Sequence, residues 1–312
     1  MITYNPEAAI RREDKHVLCD ADCVAYWGAA GCNDQALRTA TRRVDLRMNQ
    51  ILDECKASTM TNYLTGKDNF RDGVATLQRY KGNRYDKNGR RIRPQPDWLQ
   101  ESRAYIEKEW GGIVVAGQEA DDALSIHRAR YSPDNKDYII STIDKDLLIN
   151  LGWHHNQNSG EMLFVKPEFT PLEIIKKISK TNGKESTKVN GVGQMFFYAQ
   201  LLMGDAADWI KGLPKVTPEM KEEWPAMRRG GCGQMTAVHV LDGCVDEEDA
   251  HNRVWFCYKS YWMEHSYTHW ANDKIEFKAG LETARLQMTE QGQLLHMRQK
   301  EGEMWIPKFP ML

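Results

Sequence analysis

A parallel α/β sheet followed by a helix-rich region is the fold class this sequence predicts. Three observations carry it. Short apolar runs alternate with helical periods up to about residue 166. From Pro167 onward the pattern turns helical. The chain has 312 residues and is 41% hydrophobic, enough to build one large core or two smaller ones.

The elements follow in order. HVLCD (16–20) reads as a short buried strand ending in an acid. Residues 33–55 read as a helix, because Leu37, Ala40, Val44, Met48 and Ile51 step by three or four. Met60–Leu64 is a second strand. Residues 71–96 are polar and basic, which predicts a long loop or mobile arm. A helix over 98–110 is entered after Pro94 and Pro96. GGIVVA (111–116) is a strand, 119–130 a helix and DYIISTID (137–144) a buried strand, with short strands over 151–165. Helices are expected at 171–180, 194–203, 234–242, 250–263 and 279–299. In open parallel sheets, sites lie beyond the carboxyl ends of the strands. Asp20 and Asp144 fall at such ends, and Glu119 falls just after one.

Composition narrows the classes. No apolar run reaches the length of a membrane span, and MITYNPEAAIRRED lacks the apolar core of a secretory signal. Seven cysteines without a CxxC predict free thiols in a reducing cytoplasm. The net charge is −2, so no global basic signature exists. The local balance differs. Between Arg71 and Arg93, eight basic residues oppose two acids, a balance of +6. Standing alone, that stretch reads as a solvated surface loop.

Four acidic groups carry the chemistry: Asp20 with Asp22 in LCDADCVAY, Glu119 with Asp121 and Asp122 in GQEADDALS, Asp144 with Asp146 in STIDKDL, and Asp205 with Asp208 in MGDAADWIKGLP. Each alone has a plain reading as a helix cap or solvated turn. For the last pair, an i, i+3 helical spacing would put both acids on one face. Four such groups together point to a hard cation, because oxygen donors suit Mg²⁺ or Mn²⁺ and uncompensated carboxylates repel. Two such ions can activate water against a phosphodiester. His265 and His269 lie at i, i+4 without HExxH or a cysteine partner, which favours a surface or aromatic cluster over zinc, and Trp270 is expected to pack the C-terminal helices.

In order and wording, LCDAD (18–22), TGKDNFR (65–71), YKGNR (80–84), EADDALS (119–125), STIDKDL (141–147), MGDAADWIKGLP (203–214) and GCGQMTA (231–237) resemble the 5′-nuclease, or flap endonuclease, family. The likeness is strongest to its bacteriophage 5′→3′ exonuclease branch and runs from about residue 16 to 243. It implies a PIN-like nuclease core over 1–166 with a basic arch or arm at about 71–96. It also implies a helical DNA-binding region over 167–312 with a helix–three-turn–helix element. By the same resemblance, Asp20, Glu119, Asp121, Asp122, Asp144, Asp146, Asp205 and Asp208 would hold or support two Mg²⁺ or Mn²⁺ ions. Lys81 and Arg84 would stabilise charge on the scissile phosphate, and Tyr80 would stack on a terminal base. Arg71, Arg90 and Arg91 would meet DNA, as would Gly212, Gly231 and Gly233 in a hairpin that binds K⁺ in some members. The implied activity is metal-dependent 5′→3′ exonuclease or flap endonuclease cleavage at DNA 5′ ends, duplex or flapped. RNA–DNA hybrids are a further implied substrate. Phage DNA replication or genome degradation in the host cytoplasm is the implied setting.

Two departures stand out. Many members carry an acid just before the NFR-like stretch, where this chain has Thr65 and Gly66, with Asp68 displaced. The segment Lys215–Gly230 between the hairpin halves is longer than usual. The competing readings are a haloacid-dehalogenase-like phosphatase, whose nucleophile motif DAD mimics, and a non-catalytic structure-specific DNA-binding protein. DKD has the wrong spacing for the first, and retention of so many acids opposes the second.

Overall fold

The computed structural model describes residues 12–132, 134–135, 137–167, 169–178, 183, 185–268 and 276–311. Two compact units divide the chain. The first comprises residues 1–70, 91–166 and 297–303, and the second comprises 71–90, 167–296 and 304–312. The basic segment 71–90 therefore belongs with the helical unit, where a split at residue 166 had placed it with the sheet. His269 and Trp270 lie outside the described residues, as does the extreme N-terminus.

The first unit is built on one sheet. Its strands are β1 (Arg12–Asp20), β2 (Ala57–Thr65), β3 (Ile113–Val115), β4 (Tyr138–Thr142), β5 (Gly152–Asn156) and β6 (Met162–Val165). They lie in the order β3-β2-β1-β4-β5-β6. All neighbours are parallel except β5 and β6. The helices are α1 (Ala21–Ala29), α2 (Leu37–Cys55), α4 (Leu99–Glu109) and α5 (Ala120–Arg128). The short α3 (Phe70–Val74) carries the chain from this unit into the other.

Side-chain alternation along β1 explains the layering. Val17 and Cys19 join a core with Val24, Val44, Met48, Ile51, Leu99 and Ile106, from α1, α2 and α4. Leu18 points the other way, to Leu124 of α5 with Ile140, Leu147 and Met297. A strand buried on both faces needs an apolar run rather than alternation, and HVLC supplies it. Gly28 lets α1 cross α2 closely, since a Cβ there would lie 2.6 Å from Val44 Cγ2.

The second unit holds α6 (Gly193–Met203), α7 (Pro218–Glu223), α8 (Gln234–Leu241), α9 (Glu247–Trp262) and α10 (Leu281–Leu295). Residues 195–202 of α6 are all buried, and the helix packs against α8, α9 and α10. The helix expected at 171–180 is instead β7 (Glu173–Ile178), paired antiparallel with β8 (Glu185–Asn190). Its isoleucines satisfy both periods, and β-branched residues favour the strand. The sequence between them also offers Asn182-Gly183, a hairpin signal. The helix expected to run to 299 stops at Leu295, because residues 297–303 join the first unit. Among the described residues, no helix is long and apolar enough to cross a membrane.

Candidate active site

The strand order reverses about β1, which pairs with β2 on one side and β4 on the other. That reversal opens a crevice at the carboxyl ends of β1 and β4. Asp20 closes β1 and caps α1, accepting from the Cys23 amide at 3.4 Å. Its other oxygen accepts from Thr142 Oγ1 at the end of β4 (3.0 Å) and from the Cys23 thiol (2.8 Å). The carboxylate thus spans the switch point. Burial pushes its pKa upward, hydrogen bonds from Cys23 and Thr142 pull it back, and the charge of Glu119 pushes it up again. Two acids within electrostatic reach of each other, in a poorly solvated place, are the arrangement a cation relieves.

The second group sits at the start of α5. The Thr65 hydroxyl, at the end of β2, accepts from the Ala120 amide at 3.0 Å and fixes where that helix begins. Glu119 is buried beside it and interacts with Asp20. Asp121 acts electrostatically on Cys23, two residues into α1 from the Asp20 cap. Asp122 does something else. It is fully buried, accepting from the Glu119 amide (3.2 Å) through one oxygen and from the Arg298 amide (3.2 Å) through the other. Its expected metal role is therefore revised: both oxygens serve the helix start and the 297–303 segment. The third group follows β4. Asp144 caps a 3-10 turn by accepting from the Asp146 amide at 2.9 Å, and Asp146 lies 3.8 Å from the Lys145 ammonium.

The donors that face this crevice are oxygens, the chemistry that suits Mg²⁺ or Mn²⁺. Among the described residues, however, no group of three or more His, Cys, Asp or Glu side chains is set to hold a metal ion. The residue types fit a hard cation, and a finished cage is not assembled. The cysteines contribute nothing redox-active. All seven are free, and burial holds the Cys19 and Cys23 thiols well above their ordinary range, so neither is a ready thiolate.

The fourth acidic pair lies in the second unit, and not on a helix. α6 ends at Met203, and Asp205 and Ile210 exchange backbone hydrogen bonds of 2.9 and 2.7 Å across a tight loop. Asp205 accepts from the Ala207 amide at 2.6 Å and from Gln200 at 3.4 Å, which makes it the organiser of that loop. Asp208 accepts from the Tyr80 hydroxyl at 2.7 Å and pairs with Lys81 (3.4 Å) and Arg84 (3.2 Å). Asn83 and Gln78 bond to the carbonyls of Ala206 and Trp209. The basic segment is therefore docked on the 205–210 loop rather than free. Lys81 itself has φ +51°.

Two expected DNA contacts are corrected by burial. Arg71 is fully buried, with its guanidinium donating to the carbonyls of Leu294 (2.9 Å) and His296 (3.1 Å). Tyr80 is buried with its hydroxyl on Asp208, so its ring offers no open face to a base. Arg90 and Arg91 are exposed; the amide of Arg90 is held by Asp86 at 2.9 Å. Gly212 has a packing reason: it crosses Gly204 so closely that a Cβ on either would overlap the other's backbone. Gly231 sits beside the Pro214 carbonyl, and Val216 donates to the Gly230 carbonyl at 2.8 Å. The long insertion thus closes on itself and returns GCG to GLP. Gly233 precedes α8 with open space around it.

Sequence reading missed two arginines. Arg103 of α4 pairs with Asp22 and donates to the Thr65 carbonyl. Arg298 stacks over Phe70 at 3.5 Å and donates to Gln118 at 3.2 Å. No motif marks either one. For Arg103 the available signal was its place beside Leu99 and Ile106, one turn from each on the flank of the face that α4 buries.

What the sheet and crevice define is an α/β protein with a carboxylate-lined switch point. No protein-family model matches the chain, and no curated protein does. Among solved structures it is similar to bacteriophage T5 5′-exonuclease with bound zinc, at 11% identity and a TM-score of 0.46, covering 90% of this chain and 99% of that one. It is also similar to a bacteriophage T5 flap endonuclease in a pseudo-enzyme–product complex with DNA and metal ions, at 14% identity and a TM-score of 0.42. That match covers 78% of this chain and 88% of the other.

Proposed function

We propose that this chain is a divalent-metal-dependent nuclease that hydrolyses DNA phosphodiesters at 5′ ends, as a 5′→3′ exonuclease or flap endonuclease. The observation that carries the reading is the pair Asp20 and Glu119, buried within electrostatic reach of each other at the β1/β4 switch point. Asp20, Glu119, Asp121, Asp144 and Asp146 are the residues that would hold Mg²⁺ or Mn²⁺. A cation there would lower the pKa of a coordinated water and neutralise phosphodiester charge.

The chain's own residues have separate tasks. Thr142 and Cys23 fix the Asp20 carboxylate, so that its orientation does not depend on the ion. Thr65 sets the start of α5 and with it Glu119. In the second unit, Lys81 and Arg84 supply cations for DNA phosphate, balanced by Asp208 until a stronger anion competes. The GLP and GCG turns expose backbone at Gly231 and Gly233 that can approach a DNA backbone, with K⁺ as a candidate bridging ion.

Incubation with 5′-labelled duplex and flap DNA tests the reading. Mg²⁺ or Mn²⁺ is expected to release short 5′ products, and chelator to stop it. Asp144→Ala should abolish cutting and leave DNA binding in a gel-shift assay intact. Binding without any metal-dependent cleavage would refute the enzyme.

A further inference from the structure

The 205–210 loop carries a tryptophan where the backbone does not suit one. Trp209 has φ +59°, in the left-handed region that glycine and asparagine visit readily and a bulky side chain does not. The residue is 44% exposed, so burial offsets that strain only in part. Among the described residues, its ring has no aromatic or cation–π partner and its indole N–H has no acceptor.

The surroundings impose this shape on the loop. Asp205 and Ile210 exchange backbone hydrogen bonds across its ends. Between them the basic segment takes up the carbonyls: Asn83 donates to Ala206 at 3.0 Å, the Lys81 amide to Asp208 at 2.9 Å, and Gln78 to Trp209 at 2.6 Å. A Cβ on Gly82 would lie 3.4 Å from Trp209 Cδ1, so one edge of the indole rests against the YKGNR turn. Residues 79–84 and 205–211 carry four bases, Arg79, Lys81, Arg84 and Lys211, against two acids, Asp205 and Asp208. Asp205 is buried, and Arg79, Arg84 and Lys211 are exposed. A rigidly held, exposed aromatic ring among cations suits single-stranded nucleic acid, whose bases stack on the ring while its phosphates meet the charges. Tyr80, the aromatic residue within YKGNR, is buried with its hydroxyl on Asp208 and leaves that task open.

We propose that Trp209 is a stacking platform for an unpaired nucleobase, through which the helical unit recognises a single-stranded stretch of its DNA substrate, such as a 5′ flap. The proposal rests on the DNA-nuclease reading. The constrained backbone aims the ring, and Lys81 and Arg84, both beside Asp208, meet the flanking phosphates.

Fluorescence anisotropy with the full chain, in chelator to prevent cleavage, compares a labelled oligothymidine with an abasic strand of equal length. Both strands carry the same phosphate charge, and only the first has bases. Wild type is expected to bind the oligothymidine more tightly. Trp209→Asn suits a left-handed backbone and removes the ring; it is expected to lose about tenfold in affinity for the oligothymidine and nothing for the abasic strand. Trp209→Phe keeps a ring and is expected to retain most of the affinity. Equal binding of the two strands by wild type would overturn the proposal. So would a folded Trp209→Asn variant with undiminished oligothymidine binding, an equal loss on both strands, or a Trp209→Phe variant as weak as Trp209→Asn. Each of these leaves the nuclease reading standing. A folded wild-type chain that binds neither strand nor duplex DNA would overturn both.

Discussion

Asp20 and Asp208 both come from acidic motifs of nearly the same wording, yet their surroundings are opposite. Asp20 is buried at the end of β1, near a second carboxylate, with neutral donors for company. Asp208 is met by a hydroxyl, an ammonium and a guanidinium. The first is reached by a guanidinium, Arg103, through electrostatics, while the second is paired directly with Lys81 and Arg84. Spacing along the chain cannot separate these cases, because the partners come from elsewhere: Thr142 and Glu119 for Asp20, and Tyr80, Lys81 and Arg84 for Asp208. Where no cation is paired directly a metal ion gains the most, so the two sites should respond differently to neutralisation.

The largest difference is expected from Asp20→Asn. Asparagine keeps an oxygen for Thr142 but removes the negative charge, and cleavage of labelled duplex should fall on the order of 10²-fold or more. Thermal stability without metal should hold or rise, since a buried charge near Glu119 disappears. Activity kept in this variant would break the contrast at its stronger end.

Arg71→Met comes next and acts on folding. The substitution strands the Leu294 and His296 carbonyls, at a cost of about 3 kcal/mol. Urea denaturation should register that loss, and the folded fraction should bind DNA with unchanged affinity. Weaker binding by the folded protein would restore Arg71 as a phosphate contact.

His154 probes the sheet unit as a whole. It is buried on β5, bonds the Asn150 carbonyl at 2.8 Å, and burial lowers its pKa from 6.5 to about 4. Between those values the unfolded chain binds a proton that the folded chain does not. Stability is therefore complete above the unfolded value and is lost as pH falls through the window, by up to about 3 kcal/mol. Melting temperatures from pH 7 to 4 should fall in wild type and fall less steeply in His154→Asn. Equal slopes would place the acid sensitivity elsewhere.

How much of this was legible in the sequence depends on the range of the forces involved. The sheet was readable because HVLC and YIIST bury both faces of their strands, a property of the local run. The 171–180 segment was not, because its isoleucines fit two periods and the pairing with β8 decides between them. Among site residues, Asp20 and Asp144 were legible as acids closing or following strands. Asp122, Arg71 and Tyr80 were misplaced because their partners, Arg298, Leu294 and Asp208, are more than a hundred residues away. Arg103 was invisible for a related reason: its partner Asp22 lies 81 residues away, and an arginine on a helix carries no mark of it.

The smallest expected effect closes the comparison. Asp208→Asn keeps an acceptor for Tyr80 and releases Lys81 and Arg84 from their counter-charge. These pairs are partly solvated, so the stability change should stay under about 1 kcal/mol. DNA binding should tighten and its salt dependence steepen, because two cations freed from a carboxylate can each displace counterions from phosphate. Fluorescence anisotropy with a duplex at several salt concentrations reads both quantities. Under this reading Asp208 restrains the basic loop, and removing it helps binding. If binding instead weakens and cleavage is lost as in Asp20→Asn, the carboxylate belongs with the metal-holding acids, and the contrast between the two groups collapses.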